Sequence, residues 1–266
     1  MNSVESTSSD WAERLQACRQ TPFSRDKDKR GDDLLGLNNK AASAALQARY
    51  GPLFAPLGQR PRVIAQLGQS LDGRIATLNG HSHYVTGSAD RAHLHRLRAL
   101  NEAVVIGANT VVADNPQLTV RAVEGPNPVR VVIASRPALP GDRHIFCDHQ
   151  AATWQVGSRG DAQQSVARWL DPPSLQPQAV LSELVNAGIQ RVLIEGGART
   201  VSAWLAAGLI DHLYLTIAPV IIGAGPTGLQ LPAIDHMDQA LRPSVARFAL
   251  GEDMLFRLDF TDALPQ

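Results

Sequence analysis

Cysteine is nearly missing from this sequence. Only Cys18 and Cys147 occur among 266 residues, and no CxxC pair exists. That excludes a disulfide framework and a Cys-based zinc site. An excess of either charge is missing too: Lys plus Arg and Asp plus Glu both count 25. Proteins that bind nucleic acid normally carry a basic excess or stripe, so no nucleic-acid partner is expected. There is no apolar run of about 18 residues, so no membrane span is expected. The opening "MNSVESTSSDWAERLQ" carries acids and no apolar stretch, unlike a secretory signal. The expectation is a cytoplasmic protein with reduced thiols.

What is present is a chain 44% hydrophobic, long enough for a sizeable core. Residues 1–60 differ from the rest. "RDKDKRGDD" is a dense mixed-charge run that solvates well. Helical patterns are readable at Trp11–Arg19 and Lys40–Tyr50, and the segment reads as a loosely attached, partly helical or flexible extension. From Pro61 strand and helix signals alternate, which predicts one α/β domain over 61–266. "RVIAQLGQS", "EAVVIGA", "VRVVIAS" and "RVLIEGG" read as buried strands, with "HIFC" and "TWQV" as short ones. "SADRAHLHRLRALN" reads as a helix capped by Ser88. "PQAVLSELVNAGI" and "ARTVSAWLAAG" read as helices stopped by Gly188 and Gly208. "DHLYLTIAPVIIG" reads as a long strand, and "VARFALGEDMLFRLDF" as a C-terminal hairpin. The prediction is a mostly parallel sheet covered on both faces, with an antiparallel C-terminal hairpin.

Open parallel sheets bind ligands beyond the carboxyl ends of their strands. The loop after the first strand is long and rich in Gly, Ser and Asp. The second is followed by "GANTVVADNPQLTVR", with Thr110, Asp114 and Arg121. The third is followed by Ser135 and Arg136, a compact pair for an anion. The fourth ends in "EGGART". Its two glycines permit close backbone approach, and the following helix start offers unpaired N–H groups to a phosphate. The other reading of that junction is a plain strand–helix turn. There is no GxGxxG or GxxxxGK[ST] motif to decide it.

Three stretches, "QSLDGRIATLNGHSHYVTG", "LRALNEAVVIGANTVVADNPQLTVR" and "VLIEGGARTVSAWLAAGLIDHLYLTIAPVIIGAG", together resemble the reductase domain of the bacterial riboflavin-biosynthesis deaminase–reductase family. The likeness runs from about Pro61 to Phe260. It implies a dihydrofolate-reductase-like fold and NADPH-dependent reduction of a ribosylamino-pyrimidine phosphate to the ribitylamino compound. Carried over by motif, Ser82, Arg98, Leu118, Arg121 and Glu195 would hold the substrate. Gly68, Tyr84, Thr110, Asp114, Ser135 and Gly197, Ala198, Arg199, Thr200, Val201, Ser202 and Ala203 would hold the cofactor. The residues themselves add Gly196 and Arg136 to the cofactor seat, and Arg98 and Arg121 as phosphate clamps. Opening the ribose ring needs a proton shuttle. Glu195 is the first candidate, with Asp114 and Asp72 behind it.

The sequence departs from the family in places. Tyr84 stands where Trp is common, and Asn101-Glu102 replaces a more usual Asp. No HxE or PCxxC occurs, so the deaminase's zinc site is missing and a stand-alone reductase is expected. That leaves room for another pyrimidine or pterin-like substrate. The competing class is a non-catalytic nucleotide-binding homologue. His81, His83, His93 and His95 do not pair at ligand spacing on one helix face, so no metal is expected. His83 lies beside Ser82 and Tyr84 and is a candidate substrate contact. Trp154, Trp169 and Trp204 read as packing residues, and Cys147 as a small buried one. The apolar strand from Asp211 and the C-terminal hairpin, read as a sheet edge, suggest a homodimer.

Overall fold

The structure is a computed structural model that describes residues 11–16, 40–58, 60–135, 139–157 and 165–260. Its described helices are α1 over residues 11–16, α2 (Lys40–Phe54), α3 (Ser88–Leu100), α4 (Ala108–Asp114), α5 (His144–Cys147), α6 (Pro177–Asn186) and α7 (Ala198–Ala206). The strands are β1 (Arg62–Ser70), β2 (Ala103–Gly107), β3 (Val129–Ala134), β4 (Thr153–Gly157), β5 (Arg168–Leu170), β6 (Arg191–Glu195), β7 (His212–Ala218), β8 (Ser244–Leu250) and β9 (Asp253–Asp259). They form one sheet in the order β5-β4-β3-β2-β6-β1-β7-β9-β8. Every pairing from β5 to β7 is parallel; β7–β9 and β8–β9 are antiparallel.

The central strands are β-branched and apolar because both faces are covered. Successive residues point to opposite faces, so each strand feeds two cores. Ile64, Val104, Ile106, Leu193 and Tyr214 pack with Leu97 and Leu100 of α3. Val63, Ala65, Val105, Val192 and Ile194 pack with Val180 and Leu184 of α6 and Val201 and Trp204 of α7. The glycine stops hold: Gly188 and Gly208 follow their helices at φ +92° and +68°. Among the described residues, no helix is long and apolar enough to cross a membrane.

Several sequence expectations are corrected. The extension is not loosely attached where it is described. Trp11, Leu15, Leu46, Tyr50 and Leu53 belong to the core on the α3 face, and Trp11 Nε1 donates to the Glu124 carbonyl at 2.8 Å. The mixed-charge run lies outside the described residues. "HIFC" is one helical turn, not a strand; it buries the adjacent Ile145 and Phe146 and leaves Cys147 exposed. Ser88 does not cap α3. The cap position is Gly87, whose N–H donates to Asp253 Oδ2 at 2.7 Å, a partner 166 residues away. β7 ends at Ala218, where Pro219 has no N–H to continue a ladder. It is also not an edge: β1 and β9 flank it, and β8 is the outer strand. "DPPSLQP" is a connection as read, although the strand β5 before it carried no readable signal. Trp204 is buried, while Trp154 and Trp169 are half-buried, Trp154 beneath the Arg168 guanidinium at 5.0 Å.

Candidate active site

The sequence-named residues gather at the carboxyl ends of β1, β2 and β6. Glu195 closes β6 in register with Gln66 of β1. It shares the sheet face of Leu193, the face covered by α3. From α3, Arg98 donates Nε to Glu195 Oε2 at 2.8 Å and Nη2 to Oε1 at 2.5 Å. Its Nη1 donates to the Thr119 carbonyl at 2.9 Å. Arg98 and Glu195 are both buried, so the pair is a bidentate ion pair inside the protein. Arg98 thus gives three of its five N–H donors to protein groups, and both Glu195 oxygens accept from Arg98.

Arg121 keeps its guanidinium exposed, with one long contact to Thr119 Oγ1 at 3.4 Å. Desolvation, then the nearby Arg98, lowers its pKa, and Glu195 opposes the shift. Two guanidiniums against one carboxylate leave a net positive corner. His95 closes it underneath. Its Nδ1 accepts from the Arg121 N–H at 3.0 Å, and burial with Arg98 and Arg121 lowers its pKa to about 4. The imidazole is therefore neutral at pH 7 and adds no charge.

The glycines after β6 have a physical cause. Gly196 has φ +110°, and a Cβ there would stand 3.2 Å from Thr110 Oγ1. A Cβ on Gly107 would meet Thr200 Oγ1 at 3.0 Å. The threonines of α4 and α7 thus each close on the glycine of the neighbouring strand end, since β2 pairs with β6. Thr110 and Asp114 lie on a helix, not in the loop read from the sequence. Asn, Thr and Val are poor helix formers, and burying Val111 overrides that preference. Asp114 is exposed at the end of α4, yet desolvation raises its pKa and His83 offsets part of the rise. Within α7, Arg199 and Ala203 are exposed and Thr200 half-buried. Val201 is in the core, and Ser202 Oγ already accepts from the Gln230 N–H at 2.8 Å.

Two further named residues carry strain. Tyr84 (φ +68°) and Leu118 (φ +56°) are non-glycines in left-handed geometry. Such residues cluster at ligand sites, at a cost of about 1–3 kcal/mol each. Tyr84 is 82% exposed, and Leu118 is buried. Ser82 is half-buried in the same loop as Tyr84, and Ser135 is exposed after β3. Arg136 lies outside the described residues. Asp72 is a loop pin rather than a proton shuttle. It accepts from Ser70 Oγ at 2.6 Å and from the N–H groups of Ile222 and Gly223, which hold its pKa down at about 2. With Arg74 Nε on the Gly223 carbonyl, it ties the loop after β1 to "GAGPTG".

Sequence reasoning missed Asp90. It sits in the first turn of α3, 3% exposed, and accepts from Thr216 Oγ1 at 2.6 Å. Gln66 Nε2 stands 3.5 Å from its other oxygen. An acid at a helix start is ordinary on sequence grounds, so nothing there marked it out. Gly68 lies beside it: a Cβ on Gly68 would be 2.8 Å from Thr86 Cγ2 and 3.6 Å from Asp90 Oδ2.

The family model for the RibD C-terminal domain matches residues 61–254. The chain belongs to the RibD C-terminal domain family. Within that family it is 34% identical over 210 residues to the 2,5-diamino-6-ribosylamino-4(3H)-pyrimidinone 5′-phosphate reductase of Methanothermobacter thermautotrophicus, covering 74% of this chain and 96% of that protein. It is 34% identical over 208 residues to RibD of Synechocystis, covering 74% of this chain and 56% of the relative. The crystallised Acinetobacter baumannii RibD shares its fold with a TM-score of 0.69 at 29% identity, over 82% of this chain and 62% of that one. The chain thus spans nearly the whole Methanothermobacter reductase and about half of RibD.

Proposed function

We propose that this RibD C-terminal domain is a cytoplasmic, NADPH-dependent reductase that converts a ribosylamino-pyrimidine 5′-phosphate into its ribitylamino form. The observation that carries this reading is the junction at the end of β6. Glu195 turns toward the cationic corner on the α3 face, while Gly196 turns the chain at φ +110° into the amino end of α7. A sugar phosphate and a dinucleotide pyrophosphate would thus sit on either side of one strand end. The likeness to the Methanothermobacter 2,5-diamino-6-ribosylamino-4(3H)-pyrimidinone 5′-phosphate reductase supports the substrate class, and that to the riboflavin biosynthesis protein RibD supports the pathway.

The residues present fit the cofactor. A backbone without Cβ at Gly196 and Gly197, the start of α7 and the hydroxyls of Thr110 and Thr200 suit a pyrophosphate. Ala198 and Arg199 belong to the same helix start, and Ala203 lies further along that helix. Ser135 and Arg136 would meet the adenosine end, where a cation favours a 2′-phosphate. Gly68, Tyr84 and Asp114 would border the nicotinamide end. When bound, the cofactor supplies hydride to C1′ of the opened ribose.

On the substrate side, Arg121 would hold the phosphate as the exposed cation of the corner. Arg98 would fix the Glu195 carboxylate so that its oxygens accept from ribose hydroxyls in a constant geometry. Ser82 and Leu118 would line the pyrimidine. The exposed apolar residues between Val220 and Met254, with the outer strand β8, support a homodimer.

The test is NADPH oxidation followed at 340 nm with the deaminated and undeaminated ribosylamino-pyrimidine phosphates, alongside quenching of NADPH fluorescence. Turnover of either is expected. Cofactor binding without turnover of any pyrimidine would move the protein to the non-catalytic class.

A further inference from the structure

The buried carboxylates of the described residues fall into two kinds. Glu195 holds a guanidinium bidentately, and Asp211 is paired with Arg60 and the Val63 N–H. Asp253 takes the N–H of Gly87 at the start of α3. Asp90 differs in that its direct partners are side chains and all neutral: the Thr216 hydroxyl on Oδ1, the Thr86 hydroxyl, and the distant amide of Gln66 near Oδ2.

Its position matters as much. Thr216 is in register with Gly68, on the strand beside β1, and Asp90 Oδ2 lies on the side toward which a Gly68 side chain would point. Gln66, one side-chain step back on the same face, is in register with Glu195. Gln66 of β1 therefore neighbours both Asp90, 3.5 Å from its Nε2, and the strand end that carries Glu195. The sugar-binding corner and the Gly68 end of the site meet there.

We infer that Asp90, oriented by Thr216, is the acid that opens the ribose ring of the substrate, the role the sequence suggested for Glu195. This rests on the reductase reading above. In the step, the proton of the Asp90 carboxylic acid passes to the ring oxygen O4′ as the C1′–O4′ bond breaks. The bond's electrons stay on oxygen. The lone pair of the exocyclic nitrogen forms C1′=N, and the nitrogen's proton returns to the carboxylate. The isomerisation is neutral overall and needs no oxidant or reductant. It leaves an electrophilic C1′.

The surroundings shift the Asp90 carboxyl toward its protonated form. Burial raises the pKa of Asp90, with the nearby charge of Asp253 on β9 adding to the rise. The hydroxyls of Thr216 on β7 and Thr86 in the loop before α3, and the charge of Arg91 on α3 itself, pull it part of the way back. Gln66 of β1 is uncharged. A general acid needs this bias, since the ordinary carboxyl is ionised at neutral pH.

The experiment uses the full chain, with kcat and KM measured against pH for the parent, Asp90→Asn and Thr216→Val. The parent is expected to lose kcat as pH rises through the raised pKa of Asp90. Asp90→Asn keeps the shape and the Thr216 contact; its kcat should fall on the order of 10²–10⁴-fold, without that alkaline limb and with NADPH affinity unchanged by fluorescence. Thr216→Val removes a contact that lowers the pKa, so the limb should move to higher pH. A second readout is independent of turnover. Carbon-13 NMR of labelled aspartate carboxyls in the cofactor-free protein should show, besides that of Asp114, a signal titrating above the usual range that is absent from Asp90→Asn. If Asp90→Asn misfolds by circular dichroism, Thr216→Val and the parent's NMR titration still decide.

Asp90→Asn turning over within about threefold of the parent, or a limb unmoved in Thr216→Val, would overturn the inference and leave the reductase reading standing. A parent that turns over neither pyrimidine would remove the reductase reading, and this inference with it.

Discussion

At the residue scale, Arg98 and Arg121 look alike in the sequence and differ in the structure. Arg98 is buried and bonded to Glu195 and Thr119, while Arg121 is exposed beside them. Removing one partner of a buried ion pair leaves a stranded charge. Arg98→Ala should therefore lower unfolding free energy by about 3–5 kcal/mol in denaturant titrations. Arg121→Ala should change stability by less than about 0.5 kcal/mol. It should instead raise KM for the phosphorylated substrate roughly 10- to 100-fold, the worth of one charged hydrogen bond of about 1.5–3 kcal/mol. The reverse outcome, a stable Arg98→Ala with impaired phosphate binding, would restore Arg98 as the clamp. Motif spacing assigned both residues to the site, but could not say which one the protein itself consumes.

At the element scale, α1 and α2 carry the largest revision. Trp11 is 2% exposed and stacks edge-on with Tyr50 at 5.8 Å, so the amino-terminal segment completes the core against α3. Trp11→Ala should cost about 3–5 kcal/mol, read from the shift in the urea midpoint. A dispensable extension would show no shift. Charge-rich flanks hid this role, because one aromatic per turn gives too little period to read.

The helix α3 also sets a pH response. Burial holds His93 well below the ordinary histidine pKa of 6.5, and His95 at about 4. Both are depressed in the folded state, so the unfolded chain binds protons first as pH falls. Stability is full above about pH 6.5 and is lost progressively toward pH 4. Thermal melting at pH 7.5 and 5.0 should show the lower Tm at 5.0. The drop should shrink in His95→Asn, where one of the two depressed histidines of α3 is gone.

At the scale of the whole molecule, the nine strands leave β5 and β8 as outer strands. β8 carries exposed Val245, and Ile221 (77% exposed) and Met237 (69%) lie in the chain leading to it. Light scattering at low micromolar concentration should give a dimer mass for the parent and a monomer mass for Val245→Glu. A monomeric parent would end the dimer reading. The alternation of β-branched runs with helical patterns was enough to determine a mostly parallel sheet, its glycine stops and the C-terminal hairpin, because those features depend on local period and local backbone freedom. The loop motifs also pointed to the strand ends at which the candidate site residues gather. Only the tertiary structure decided that Arg98 is paired with Glu195, that Gly87 takes the cap position of α3 with its N–H on Asp253, and that Asp90 lies beside Gly68 with neutral side-chain partners. Each depends on contacts between residues 97 to 166 positions apart, or on a crossover that sets two strands side by side. Period and propensity carry no information about such distances; burial and the order of the strands create them.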